Sequence, residues 1–283
     1  MKNIIAAIDF SDCSINALEH AVSIAVKGSF TVHMVWVNNP SVTKTTIYSD
    51  ASSELIDEVK NQFEKLILKY QSQFPGTKID YIIREGKVYR EITEEAKELD
   101  STVIVMGTHG ASGFEQLWIG SNANKLISVS NIPVITVRAG VNVNRTLSRI
   151  VLPIDSTLET RQKVPFTVML AKLFDAEIHV VALYRTQVKN VRLRIDEYVE
   201  QVLAYMEEEE VKYVTKGIDA DNITLATIEY GKSIDANLIS IMTEQEISPY
   251  NLLVGPYAQQ MVNNSPFPVL SIKPRELMIT STA

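Results

Sequence analysis

Short apolar runs alternate with longer amphipathic stretches along the whole chain, a pattern that predicts an α/β fold. Residues 2–8 (KNIIAAI) read as a first strand closed by Asp9, a carboxylate that reads equally as a helix N-cap or as a ligand group. Ser11 and Asp12 follow as candidate N-caps of a helix reaching about Lys27, and the spacing of Ala17, Ala21, Ile24 and Ala25 gives that helix one small apolar face. Phe30 to Val37 is apolar almost without interruption, as expected of a strand covered on both faces of a parallel sheet. A loop through Pro40 leads to a helix from about Ser52 to Phe74. Lys78 to Arg84 then predicts a third strand, Gly86 a turn and Val88 to Leu99 a third helix. Thr102 to Met106 gives a fourth strand, an amphipathic helix opens at Ser121, and Pro133 to Val137 closes the set. Strands and helices in this alternation predict a largely parallel sheet, which binds ligands at the carboxyl ends of its strands where strand order reverses. That rule brings Asp9 close to Gly107.

Beyond Arg138 the chain loosens into AGVNVNRTLS, a polar linker, and the first half then recurs. RIVLPID repeats NIIAAID and puts Asp155 where Asp9 stood, while LAKLFDAEIHVVALY repeats the helix end and the second strand. IEYGKSI is set against IREGKVY, aligning Gly231 with Gly86; NLLVG is set against VIVMG, and Pro268 matches Pro133. The chain therefore reads as two tandem α/β domains, 1–139 and 148–275. On this alignment Gly255 to Pro268 spans 13 positions where Gly107 to Pro133 spans 26, so a shortened loop is expected in the second domain. If Gly255 is matched to Gly120 instead, Pro256 stands where Ser121 aligns, and proline has no N–H to offer. A helix is expected from about Val191 to Val214, with the acidic run Glu207 to Glu210 as a solvated face.

The chemistry concentrates between Val103 and Val137. A strand, a loop punctuated by Gly107, Gly110 and Gly120, and a helix start at Ser121 make an anion site, because unpaired backbone N–H groups and the positive end of a helix dipole converge. Gly107 and Gly110 are expected to let the backbone turn sharply, and Gly120 and Ser121 to present N–H groups and a hydroxyl to phosphate oxygens. No lysine completes a GxxxxGK[ST] motif, and no GxGxxG follows the first strand, which argues against a Walker loop and against NAD.

Composition narrows the classes. With 283 residues and 46% hydrophobic content the chain can bury two ordinary cores. A net charge of −7 and a pI near 5.3 argue against nucleic-acid binding. The absence of a long apolar run argues against a membrane span, and the short apolar start against a signal peptide, so a cytoplasmic protein is expected. Cys13 is the single cysteine, which agrees with a reducing compartment. The histidines at 20, 33, 109 and 179 lack ligand spacing, and no metal site is expected.

Gly107, two residues, Gly110, nine residues and Gly120-Ser121, directly after a buried strand and with Met106, Thr108 and His109 alongside, resembles the nucleotide motif of the universal stress protein family. The likeness covers nearly the whole chain as two consecutive domains and is strongest in the first. It implies in each domain an open five-stranded parallel sheet flanked by helices, a Rossmann-like arrangement of the adenine nucleotide alpha hydrolase type. It also implies an adenine nucleotide (ATP, ADP or AMP) in the first domain, with Mg²⁺ as the companion of ATP. Phosphates would be held by Gly107, Gly110, Gly120, Ser121 and Asn122, with Met106, His109 and Ala123 beside them, and the adenosine end by Ala7, Ile8, Asp9 and Val37. Ala123 lacks the hydroxyl that often follows in ATP-binding members, which implies a weaker hold on the terminal phosphate and leaves AMP and ADP as ligands beside ATP. Family members pair through their last strands, so Pro133–Val137 is expected beside Val269–Ile272 in an intrachain pseudo-dimer, with a homodimer of whole chains left open. The function implied is a stress sensor or regulator whose nucleotide state alters a surface for a regulatory protein partner. Slow ATP hydrolysis or autophosphorylation at Ser121, and a nucleotide-free scaffold, stand as alternatives; no catalytic residue is named.

Overall fold

The computed structural model describes residues 3–39, 49–108, 120–138, 147–243, 245–247 and 252–274; of 49–52, 245–247 and 252–254 only the backbone course is described. The chain divides into two compact units, 1–146 and 147–283. In the first, β1 (Asn3–Ala7), β2 (Thr31–Asn38), β3 (Lys78–Glu85), β4 (Val103–Gly107) and β5 (Val134–Val137) form a parallel sheet in the order β3-β2-β1-β4-β5. Its helices are α1 (Asp12–Gly28), α2 (Ser49–Gln73), α3 (Val88–Glu98) and α4 (Ser121–Val129). The chain steps outward through β2 and β3 and returns on the other side of β1 through β4, so the strand order reverses between β1 and β4.

Apolar strand sequences follow from this layering. Ile4, Ile5, Val32, Met34, Val103, Ile104 and Val105 are wholly buried, and each such side chain contributes about 1.5–3 kcal/mol through apolar area removed from water. Small residues on α1 let it approach the sheet closely: Ala17 and Ala21 are fully buried.

The second unit repeats the plan. It comprises β6 (Arg149–Ile154), a 3₁₀ turn (Leu158–Arg161), α5 (Val164–Phe174), β7 (Glu177–Tyr184), α6 (Lys189–Glu208), β8 (Tyr213–Asp219), α7 (Ile223–Ser233) and β9 (Leu238–Met242). A short antiparallel hairpin of β10 (Gln245–Ile247) and β11 (Leu252–Val254), α8 (Pro256–Asn264) and β12 (Val269–Ile272) complete it. Its parallel sheet runs β12-β9-β6-β7-β8.

Three expectations are corrected here. The counterpart of β4 is LISIM of β9 and not NLLVG, which lies across β11. Matching hydrogen bonds fix the equivalence: Thr108 N–H to Val137 O and Thr243 N–H to Ile272 O are both 2.9 Å, and Ile104 N–H to Pro133 O and Ile239 N–H to Pro268 O are 2.9 and 3.0 Å. Gly120 follows Thr108, and Gly255 follows Thr243, by twelve positions in each unit, so the second loop is not shortened. Gly231 is a buried residue inside α7, close-packed on the Phe267 ring, and not a counterpart of Gly86. Finally, α6 ends at Glu208 instead of reaching Val214. Glutamates at a helix carboxyl end meet the negative pole of the dipole, Glu210 takes a left-handed φ of 55°, and the β-branched and aromatic residues after it enter β8.

Candidate functional site

At the reversal point of the first sheet lies a cleft of about 200 Å³. Ala7, Ile8 and Asp9 at the end of β1 form its floor, with Ser14 from α1. Val35, Trp36 and Val37 from β2 and Val88 and Ile92 from α3 give it an apolar side. Met106, Gly107 and Thr108 at the end of β4 and Gly120 to Ala123 at the start of α4 give it a polar one. Ten of the twelve residues singled out from the sequence thus line one cleft: Ala7, Ile8, Asp9, Val37, Met106, Gly107, Gly120, Ser121, Asn122 and Ala123. His109 and Gly110 lie outside the described residues.

The polar side is built from backbone. Gly120 is the N-cap of α4 and contributes no side-chain cap. Its own N–H donates to Thr108 O at 2.7 Å, joining the start of α4 to the end of β4. The amides that follow, at Ser121, Asn122 and Ala123, occupy the first helical turn, where N–H groups lack intrahelical acceptors and the dipole is positive. With no acidic residue in that turn, an anion meets no opposing charge there.

Gly107 works through its size and not through a turn. It belongs to β4, and a Cβ built on it would stand 2.9 Å from the carbonyl carbon of Cys13 and 3.0 Å from the Cys13 Cβ. The missing side chain lets the first turn of α1 close on the end of β4. Cys13 itself is buried there, its thiol donating to Val137 O at 3.1 Å. Gly86, in contrast, has a φ of +147°, a backbone conformation that side chains rarely adopt, so glycine suits the place where the chain enters α3.

Asp9 is not a helix cap. Ser11 takes that role, accepting from Ser14 N–H at 3.2 Å. Asp9 Oδ1 in turn accepts from the Ser11 N–H at 3.1 Å and the Ser11 hydroxyl at 2.6 Å. Ser14 completes the ring: its hydroxyl donates to Ser11 O at 2.9 Å and accepts from Asp9 N–H at 3.3 Å. Between them Phe10 holds φ at 63°, a strained choice for an aromatic residue, and its ring packs on Phe63 (5.0 Å), which stacks on Tyr81 (4.9 Å).

Ser14, Val35, Trp36, Thr108, Val88 and Ile92 complete the lining without having been singled out as site residues. Thr108 carried a signal as the residue next to Gly107. Val88 and Ile92 carried only the i, i+4 spacing of an apolar helix face, which by itself denotes core.

The family model described as the universal stress protein family matches residues 1–138. Universal stress protein YxiE of Bacillus subtilis is 30% identical over 146 residues, covering 48% of this chain and 99% of that relative. The chain belongs to the universal stress protein family. A universal stress protein of Methanocaldococcus jannaschii is 32% identical over 140 residues, which is 48% of this chain and 82% of that protein. The crystal structure of a universal stress protein from Archaeoglobus fulgidus is similar in fold over 96% of this chain and 98% of its own, with a TM-score of 0.73 and 21% identity.

In this universal stress protein the second unit keeps the floor of the cleft. Asp155 Oδ1 accepts from the Thr157 N–H at 2.9 Å and hydroxyl at 2.6 Å, and Asp155 N–H donates to the Thr160 hydroxyl at 3.2 Å, repeating the ring of Asp9, Ser11 and Ser14. Above it the space is almost gone: a cavity of about 10 Å³ remains, lined by Pro153, Asp155, Thr157, Thr160, Lys163, Met242 and Tyr257. Lys163 is buried, its ammonium donating to Thr160 O at 2.5 Å and to the Thr160 hydroxyl at 3.1 Å. Burial pushes this amine down to about 8, opposed by the nearby charge of Asp155.

Proposed function

We propose that the chain is a cytoplasmic nucleotide-binding universal stress protein that holds one adenine nucleotide in its first unit and acts as a stress sensor or regulator. The observation that carries the reading is the convergence of the motif residues on one cleft, with an apolar side of Ile8, Val35, Val37, Val88 and Ile92 and a polar side at the start of α4. An adenine ring is flat and apolar on its faces and suits the first. Phosphate oxygens suit the uncapped amides of Ser121, Asn122 and Ala123. The volume enclosed by the described residues is below the roughly 300–1,000 Å³ of typical small-molecule pockets, and Mg²⁺ can accompany the phosphates of ATP as a companion ion.

Binding is favoured over turnover because Asp9 is the one titratable side chain among the described lining residues, and its Oδ1 is held by Ser11. A general base needs reach to a proton as well as basicity. The nucleotide state would then be read by a regulatory protein partner. A thermal-shift series with ATP, ADP, AMP and adenosine tests the reading: the three nucleotides should raise the Tm more than adenosine does, and a Tm unmoved by all four contradicts it.

A further inference from the structure

We infer that the second unit carries a built-in plug, in which the side chains of Lys163, Met242 and Tyr257 fill the counterpart of the first unit's cleft and so confine the ligand to the first unit. The identity of the ligand rests on the reading above; the plug rests on geometry alone.

The repeat assigns each position. Asp155, Thr157 and Thr160 reproduce the hydrogen-bonded ring of Asp9, Ser11 and Ser14, so three residues further along the chain Lys163, the N-cap of α5, stands where Ala17 stands in α1. Met242, last residue of β9, stands where Gly107 ends β4. Tyr257, second residue of α8 after Gly255, stands where Asn122 follows Gly120. All three replacements are larger than what they replace, and all three line the 10 Å³ remnant together with the conserved floor.

The filling also changes the chemistry. The Thr160 hydroxyl, whose counterpart Ser14 lines the open cleft, instead accepts from the Lys163 ammonium. A positive charge supplied from within is thereby fixed at the floor of the second unit's remnant, beside the counterpart of Ser14. Pro256 at the start of α8 further removes one amide from the helix N-terminus. Met242 has a consequence for the backbone as well. A Cβ at Gly107 would collide with the first turn of α1, and in the second unit that turn is replaced by the 3₁₀ turn Leu158–Arg161, with α5 starting only at Val164. An uncompensated buried ammonium is costly, and among the described residues Lys163 has no carboxylate in ion-pair contact, so the plug is kept against a stability cost.

The test compares the natural chain, the triple variant Lys163→Ala/Met242→Gly/Tyr257→Asn, and the control Lys163→Met, which preserves the filled volume. Each is crystallised and titrated with AMP. The triple variant should open its second cleft from about 10 Å³ toward the first unit's 200 Å³ and raise the count from one AMP to two, while Lys163→Met stays closed at one. A second cleft that stays closed by other groups, or one that opens while the count stays at one, overturns the plug. If the natural chain takes no AMP, the nucleotide reading falls by itself, and the second cleft's volume in the crystal decides the plug. Should the triple variant fail to fold, Lys163→Ala is put to the same two measurements.

Discussion

The ends of β1 and β6 have the same hydrogen-bonded ring, yet one opens onto a cleft of about 200 Å³ and the other onto a remnant of about 10 Å³. The difference lies in a few side chains laid over a shared backbone plan. A parallel sheet fixes where a site can be, because the strand ends and helix starts gather there whatever the residues; whether a site exists depends on leaving that place empty. Gly107 leaves it empty and Met242 does not.

The largest effect is expected from copying the second unit into the first. Gly107→Met should weaken adenylate binding by more than 100-fold, about 2.7 kcal/mol or more. It should also cost roughly 1–3 kcal/mol of stability through overpacking against Cys13; calorimetric titration and urea unfolding read the two. Lys163→Met should move the opposite way. The folded amine titrates near 8 and the unfolded one near 10.5, so below pH 8 both are protonated and the folded state bears the burial penalty. Between these values only the unfolded chain takes the proton, and stability rises with pH by up to about 1.4 kcal/mol per unit, about 3 kcal/mol in all. The difference between natural chain and Lys163→Met should therefore favour the variant at pH 7 and shrink as pH rises to 10.5. A pH-independent difference would remove the titrating amine from the account.

A smaller effect concerns what holds the cleft's apolar side. Arg84 at the end of β3 bridges Glu95 and Glu98 of α3, the helix that carries Val88 and Ile92. In the second unit the ion pair at the end of β8 runs from Asp219 to Arg192 of α6 instead. Arg84→Ala leaves the buried Glu95 carboxylate without that partner and should cost about 2 kcal/mol, partly screened because Arg84 is itself half-buried. Smallest is the cap pair. Ser11→Ala should cost about 1 kcal/mol, since Ser11 caps α1 and orients Asp9, whereas Thr157→Ala should cost less, because Thr157 makes no cap bond to its 3₁₀ turn. Equal losses at the two positions would mean that the caps, unlike the clefts, are equivalent.

The first unit was legible in sequence because its signals are local. Apolar runs gave every strand to within a residue or two, and the glycine spacing, with the family resemblance it carries, led to ten residues that line the cleft. Val88 and Ile92 were not legible as lining, since an apolar helix face reads the same whether it meets a core or a cleft edge. The second unit misled for a related reason. NLLVG resembles VIVMG as a string, but the strand that pairs with β6 is LISIM, which ends in methionine because no helix turn needs to close there. Lys163 gave no signal at all: a lysine near a helix start reads as surface, and only the fold brings it over Thr160.

The most direct test of the central claim is native mass spectrometry of the purified chain, with extraction and identification of whatever small molecule it carries and a repeat after adding ATP, ADP or AMP. The account predicts one adenylate per chain. Two per chain would contradict the closed second cleft, and none under any of these conditions would contradict the open first one.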